Sequence, residues 1–151
     1  AVLISSACET GALCGAPRYR SALARYGELL GMAFQIADDI LDYTSDSTVT
    51  GKPSGLDLRE HKVTLPLILA LPQLVGAGRT RVEELFATEE PDDQLISDVV
   101  AIVADAGGIE RAHQCGERFA REAEESLAPL PDTSVRSSLT DAISYVMDRR
   151  S

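Results

Sequence analysis

Asp38, Asp39 and Asp42 place three carboxylates in D-D-x-x-D spacing within the apolar stretch Phe34-Gln35-Ile36-Ala37-Asp38-Asp39-Ile40-Leu41-Asp42. On a helix, Asp38 and Asp42 stand one above the other on a single face, and Asp39 lies about 100° round the axis from Asp38. Like charges this close disfavour one another's ionisation. A hard, oxygen-loving cation removes the repulsion, and Mg²⁺ characteristically takes one or two carboxylates together with substrate phosphates. Aspartates grouped on a helix are more often a solvated face. Here Phe34, Ile36, Ile40 and Leu41 surround the acids with apolar surface, where unpaired carboxylates are unfavourable. The spacing therefore reads as a half-site for a magnesium–diphosphate.

Opposite charge follows directly. Within residues 43–62, Gly51, Pro53, Gly55 and a Ser/Thr cluster mark a loop that carries Lys52 and Lys62 back towards the end of the acid helix. Lysine is a compact point charge suited to phosphate oxygens. Either lysine alone reads as a solvated surface group. Beside the aspartates, they complete an acid–metal–diphosphate–lysine arrangement.

Apolar residues recur at helical spacing almost throughout and β-branched alternation is scarce, so the expected fold class is all-α. A first helix is expected from Ala1 to Gly15, ended by Gly15-Ala16-Pro17. A long second helix is expected from Arg18 through Tyr43, burying Leu23, Tyr26, Leu30, Ala33, Phe34, Ala37 and Leu41. Gly27 and Gly31 on that stripe permit close helix approach. Thr64-Leu65-Pro66 opens a third helix through about Leu74, with Pro72 able to kink or end it. Arg79–Ala87 forms a short helix, and Glu89-Glu90-Pro91-Asp92-Asp93 caps the next, through about Ala106. Gly107-Gly108 breaks the pattern. Residues 109–128 form a charged amphipathic helix, and a last helix from Asp132 or Thr133 carries Val135, Leu139, Ile143, Val146 and Met147.

A net charge of −10 argues against nucleic-acid binding, which needs basic surface, but bound Mg²⁺ can invert the local field for a diphosphate. No apolar run approaches the ~20 residues of a membrane span, and no basic segment precedes residues 1–17 to make a signal peptide. Cys8, Cys14 and Cys115 lack metal spacing and read as reduced, cytoplasmic thiols, with Cys8 and Cys14 packed in a helix interface. The chain begins with Ala1 inside an apolar run, so a fragmentary sequence is expected.

The run F-Q-I-A-D-D-I-L-D-Y, followed by G-K-P-S-G-L-D-L-R-E-H-K-V-T-L-P-L-I, resembles the second aspartate-rich region of trans-isoprenyl diphosphate synthases, the polyprenyl synthetase family. Asp57-Leu58-Arg59-Glu60 and Thr64-Leu65-Pro66-Leu67-Ile68 resemble its long-chain branch more than its farnesyl or geranylgeranyl branch. The resemblance implies that residues 1–151 are the C-terminal portion of an isoprenoid-synthase helical bundle. It implies head-to-tail condensation of isopentenyl diphosphate with an allylic diphosphate, Mg²⁺ as cofactor, and a homodimer. By the same resemblance Asp38 would ligate Mg²⁺ directly, with Asp39 and Asp42 acting through metal-bound water or nearby contacts. Lys52 and Lys62 would hold the allylic diphosphate, Asp57 would support the metal's water, and Phe34 and Gln35 would sit near the carbocation and the isopentenyl group. Phe34 could instead be plain core, and Asp57 a turn or cap residue.

Two departures stand out. His61 occupies a position where the family commonly has glycine, which is tolerable if the backbone there is not strongly left-handed; it could add a titrating donor near the diphosphate. The family's first aspartate-rich region and its isopentenyl-binding basic residues are not in this sequence, so the chain alone is expected to transfer little or no prenyl group. The Asp148-Arg149-Arg150 tail reads as a solvated helix end, although basic tails of relatives can close over the site.

The alternative is a non-catalytic small subunit or regulatory partner of a complete prenyl synthase, which would have no need to keep the acids and lysines. A class I terpene cyclase shares metal-triggered diphosphate loss, but its second metal motif is of Asn/Asp-Ser/Thr-Glu type. A purely structural bundle explains the periodicity and not the acid–lysine arrangement.

Overall fold

A computed structural model describes residues 1–44 and 55–148. Lys52, most of the loop expected around it, and Arg149 and Arg150 lie outside the described residues. The described chain forms helices α1 (Val2–Gly15), α2 (Arg20–Thr44), α3 (Leu56–Arg59), α4 (Leu65–Ala70), α5 (Gly76–Ala87), α6 (Asp93–Asp105), α7 (Gly108–Ser126) and α8 (Ser134–Met147). No strand occurs among the described residues, as the all-α reading expects.

Several helix ends follow from local chemistry. Pro17–Tyr19 is a 3₁₀ turn, so α2 starts at Arg20 and not at Arg18. Pro72 has no N–H to continue the ladder, and α4 accordingly stops at Ala70 and passes into the 3₁₀ turn Leu71–Gln73. Asp92 caps α6, its carboxylate accepting from the Leu95 N–H at 2.8 Å. Thr133 caps α8. The four-residue α3 was not expected, being too short to show a period.

The chain divides into two compact units, and α2 and α7 each run from one into the other. The first unit comprises Ala1–Ala37 with the chain from Gln114 onwards. Its core joins Tyr26, Leu29, Leu30 and Ala33 of α2 to Ala120 and Ala123 of α7, Leu127, and Ile143 and Val146 of α8. The Tyr26 hydroxyl donates to the Leu139 carbonyl at 2.8 Å, and burial pushes its pKa up to about 12. Helix α1 crosses α2 closely at Gly27, where a Cβ would meet the Ile4 carbonyl oxygen at 2.7 Å and Ser5 Cα at 2.8 Å. A Cβ at Gly31 would collide with Ala1, so both glycines serve close approach as expected.

Two expectations about packing in this unit are corrected. Phe34 is not part of the buried stripe: it is 37% exposed, while Ile36 is buried at 5%. One residue past Ala33 is about 100° round the helix, which turns Phe34 off the core face. Cys8 packs against the core but Cys14 is exposed.

The second unit is Asp38–His113. Its core is built on Leu58, Leu67, Ala70, Leu85, Val99 and Val103, with Tyr43 from the end of α2 packed into it. Burial pushes the Tyr43 hydroxyl up to about 12, against a hydrogen bond from Thr64 that lowers it. Arg59 reaches from α3 to the Pro91 carbonyl at 3.0 Å and pairs with Asp93, tying α3 to the start of α6. Arg111 donates to the carbonyls of Leu69 and Ala106 at 2.8 and 2.6 Å, satisfying acceptors near the ends of α4 and α6.

Candidate functional site

Asp38, Asp39 and Asp42 lie in the last two turns of α2. Asp38 is exposed, whereas Asp39 and Asp42 are half-buried. Phe34 and Gln35, both exposed, precede Asp38 by about one turn on the same helix. Among the described residues, no three carboxylate, imidazole or thiolate groups form a cluster that could hold a metal ion.

Asp42 is bound from both sides. Its Oδ1 accepts from the Leu56 N–H and its Oδ2 from the Asp57 N–H, each at 3.0 Å. Its own carbonyl accepts from the Gly55 N–H at 2.8 Å. Burial pushes its carboxyl pKa up, and the Asp57 and Leu56 amides, as donors to the carboxylate, pull it down; the net direction is upward.

Asp57, in the first turn of α3, receives the Lys62 ammonium on Oδ1 at 3.1 Å. Lys62 also pairs with Glu60 at 2.6 Å. Its hydrogen bonds to the Glu60 and then the Asp57 carboxylate push the lysine pKa up to about 12, so it is cationic throughout the neutral range. Two of its three donors are thus directed at carboxylates, and a phosphate ligand would exchange with or join them. The structure brings Asp42, Asp57 and Lys62 together. It leaves Lys52 undescribed.

The structure bears on His61 in two respects. Its φ is +54°, in the left-handed region that glycine enters without penalty. Its Nε2 lies 2.9 Å from the Thr88 carbonyl and its ring packs on Phe86 with centroids 5.9 Å apart, so the side chain packs against the end of α5. Two terms separate by substitution. His61→Ala removes the ring contacts and keeps the backbone penalty, whereas His61→Gly removes both. The glycine variant should therefore be more stable than the alanine variant by about 1 kcal/mol, read as the difference in urea midpoints. Equal midpoints would contradict the left-handed conformation.

The arrangement offers hard anionic oxygens at one helix end and a fixed cation a short chain distance away. These donors suit Mg²⁺ held by one or two carboxylates and completed by phosphate oxygens. Sequence reasoning singled out Asp42, Asp57 and Lys62 but missed the pairing of Lys62 with Glu60 and the bonds from Asp42 to the 55–57 backbone, for which the sequence carries no signal.

The sequence model of the polyprenyl synthetase family matches residues 1–103, a span that contains all of these groups. An all-trans-nonaprenyl-diphosphate synthase (geranyl-diphosphate specific) of Rhodobacter capsulatus is 38% identical over 137 residues, covering 91% of this chain and 42% of that protein. A short chain isoprenyl diphosphate synthase of Methanothermobacter thermautotrophicus is 34% identical over 151 residues, covering 99% of this chain and 46% of that one. The relatives thus include both long- and short-chain synthases. A crystal structure of a polyprenyl synthase from Caulobacter crescentus CB15, complexed with calcium and isoprenyl diphosphate, superposes with a TM-score of 0.89 at 30% identity, covering 99% of this chain and 46% of that one. The chain spans less than half the length of these relatives. With the acids of α2, Asp57 and Lys62 all inside the matched span, the chain belongs to the polyprenyl synthetase family.

Proposed function

We propose that this chain supplies one wall of a prenyltransferase that joins isopentenyl diphosphate head to tail with an allylic diphosphate, building a long-chain polyprenyl diphosphate. The observation that carries the reading is the run of bonds from Asp42 to Asp57 to Lys62, which sets a fixed cation beside a helix end bearing three carboxylates. Asp38, exposed at that end, would hold Mg²⁺ with Asp39 and Asp42 in support. Bound there, Mg²⁺ would offset the negative charge of the departing diphosphate.

The remaining work falls to the chain's own residues. Lys62, cationic throughout the neutral range, would neutralise allylic diphosphate oxygens, assisted by Lys52. Its ion pairs with Asp57 and Glu60 keep the ammonium on the segment that Asp42 binds, where a phosphate would exchange with or join these partners. Phe34 would present an aromatic face to the allylic cation and Gln35 one polar anchor to the isopentenyl group. Asp57 would orient both its lysine and nearby water. We expect the second metal-binding wall and the isopentenyl diphosphate site to come from outside this sequence, the assembled protein to be a homodimer, and the setting to be cytoplasmic, which the three unbridged thiols suit. No helix among the described residues is long and apolar enough to cross a membrane.

The test is prenyl transfer from isopentenyl diphosphate and farnesyl diphosphate by the assembled synthase, this chain together with whatever carries the second wall. Elongated product should form with Mg²⁺, stop on chelation and resume on Mg²⁺ addition, while the 151-residue chain alone should form little or none. An assembled protein that binds both diphosphates yet makes no elongated product would refute the reading.

A further inference from the structure

Three consecutive amides, those of Gly55, Leu56 and Asp57, are all directed at one residue, Asp42. They open α3, where the first N–H groups have no partner within the helix. Asp42 satisfies the first with its carbonyl and the next two with separate carboxylate oxygens. From there the bonds continue: Lys62 returns to Asp57 twice, with its backbone N–H on the Asp57 carbonyl at 2.8 Å and its ammonium on Oδ1 at 3.1 Å. Asp38, one turn earlier, is exposed at the same helix end. Two acids of one motif therefore stand in different circumstances, one open to solvent and one bonded to the backbone.

We propose that Asp42 is a positioning residue, whose carboxylate clasps the Leu56 and Asp57 amides and so holds Asp57 and Lys62 in place, while the cation is taken by Asp38. The inference rests on the function proposed above and divides the labour within that site. Geometry explains why a full carboxylate is needed. Both of its oxygens accept, whereas asparagine would accept on one atom and set N–H against N–H on the other.

Two readouts on the assembled synthase decide it: hydrogen exchange at the Leu56 and Asp57 amides, and calorimetric binding of inorganic diphosphate across a Mg²⁺ series. In Asp42→Asn both amides should exchange about tenfold faster or more, as expected for loss of a charge-assisted hydrogen bond. Diphosphate affinity should fall by a similar factor of about ten, with the half-saturating Mg²⁺ concentration moving less than about twofold. Asp57→Asn should reproduce the affinity loss without the faster exchange at Leu56. Asp38→Asn should shift the Mg²⁺ dependence and leave both amides protected. Asp42→Glu keeps the charge but displaces the oxygens by one methylene, and should show the same gain in exchange. Wild-type protection in Asp42→Asn or in Asp42→Glu would overturn the clasp, as would an Asp42→Asn shift in Mg²⁺ dependence as large as that of Asp38→Asn. If the unsubstituted protein takes up no diphosphate with Mg²⁺, the functional reading fails, and the exchange rates alone still decide the clasp.

Discussion

Replacing Asp38 by asparagine should lower Mg²⁺-dependent prenyl transfer by the assembled synthase about 100- to 1,000-fold, the range found when one preorganised electrostatic contact to a developing charge is removed. Asp38 is the exposed acid at the end of α2, so nothing in its surroundings makes it a packing residue. The substitution keeps size and shape, and it removes a negative charge that sits beside Asp39 and one turn from Asp42. Folding should therefore be unharmed, and relief of like-charge repulsion should leave stability equal or raised by a few tenths of a kcal/mol. Rates across a Mg²⁺ series, with a thermal melt of the same preparation, check both halves. A variant that transfers at the unsubstituted rate would remove Asp38 from the metal site. One that loses activity and melts early would make it structural.

Gly108→Ala should destabilise the second unit by about 2 kcal/mol or more, the upper part of the range for forcing one extra carbon into a packed contact. Gly108 is the first residue of α7, and its φ does not lie in the left-handed region, so the penalty is purely steric. A Cβ there would strike the Pro66 carbonyl oxygen and press on Ala70 Cβ and Val103 Cγ1, each at 3.0 Å. None of these can swing aside. Two belong to α4 and one to α6, and Ala70 and Val103 are fully buried. The gain of up to about 1 kcal/mol that alanine brings inside a helix is smaller than the clash. Pro66 follows Lys62 by four residues, so the same variant should disturb the lysine that α4 carries before it. Chemical denaturation monitored by circular dichroism measures the first effect and diphosphate affinity the second. An unchanged midpoint would mean that α7 and α4 do not approach as closely as described.

Much of this protein was legible from local pattern. The acid helix, a cap within residues 89–93, a last helix opening at Asp132 or Thr133, the close approach at Gly27 and Gly31 and a kink or end at Pro72 all follow from interactions within a few residues or from a period the chain repeats. Phe34 shows where that stops. Its spacing suited a buried stripe, but the core is a face of limited width, and Phe34 stands outside it while Ile36 is buried. His61 shows another limit, because a positive φ is tolerated only when neighbours hold it, and Phe86 and Thr88 are about 25 positions away.

The sequence by itself determined an all-α chain and the spacing of Asp38, Asp39 and Asp42 on one helix, because helical period is a local property. Only the tertiary structure decided that these acids differ. Asp42 meets the amides of Leu56 and Asp57 across fourteen and fifteen positions, and Asp38 does not. Such a contact depends on which residues distant in sequence meet, and neither residue type nor spacing encodes that. It is set by the burial of Tyr43, Leu58 and Leu67 in one core, which fixes the end of α2 against the start of α3.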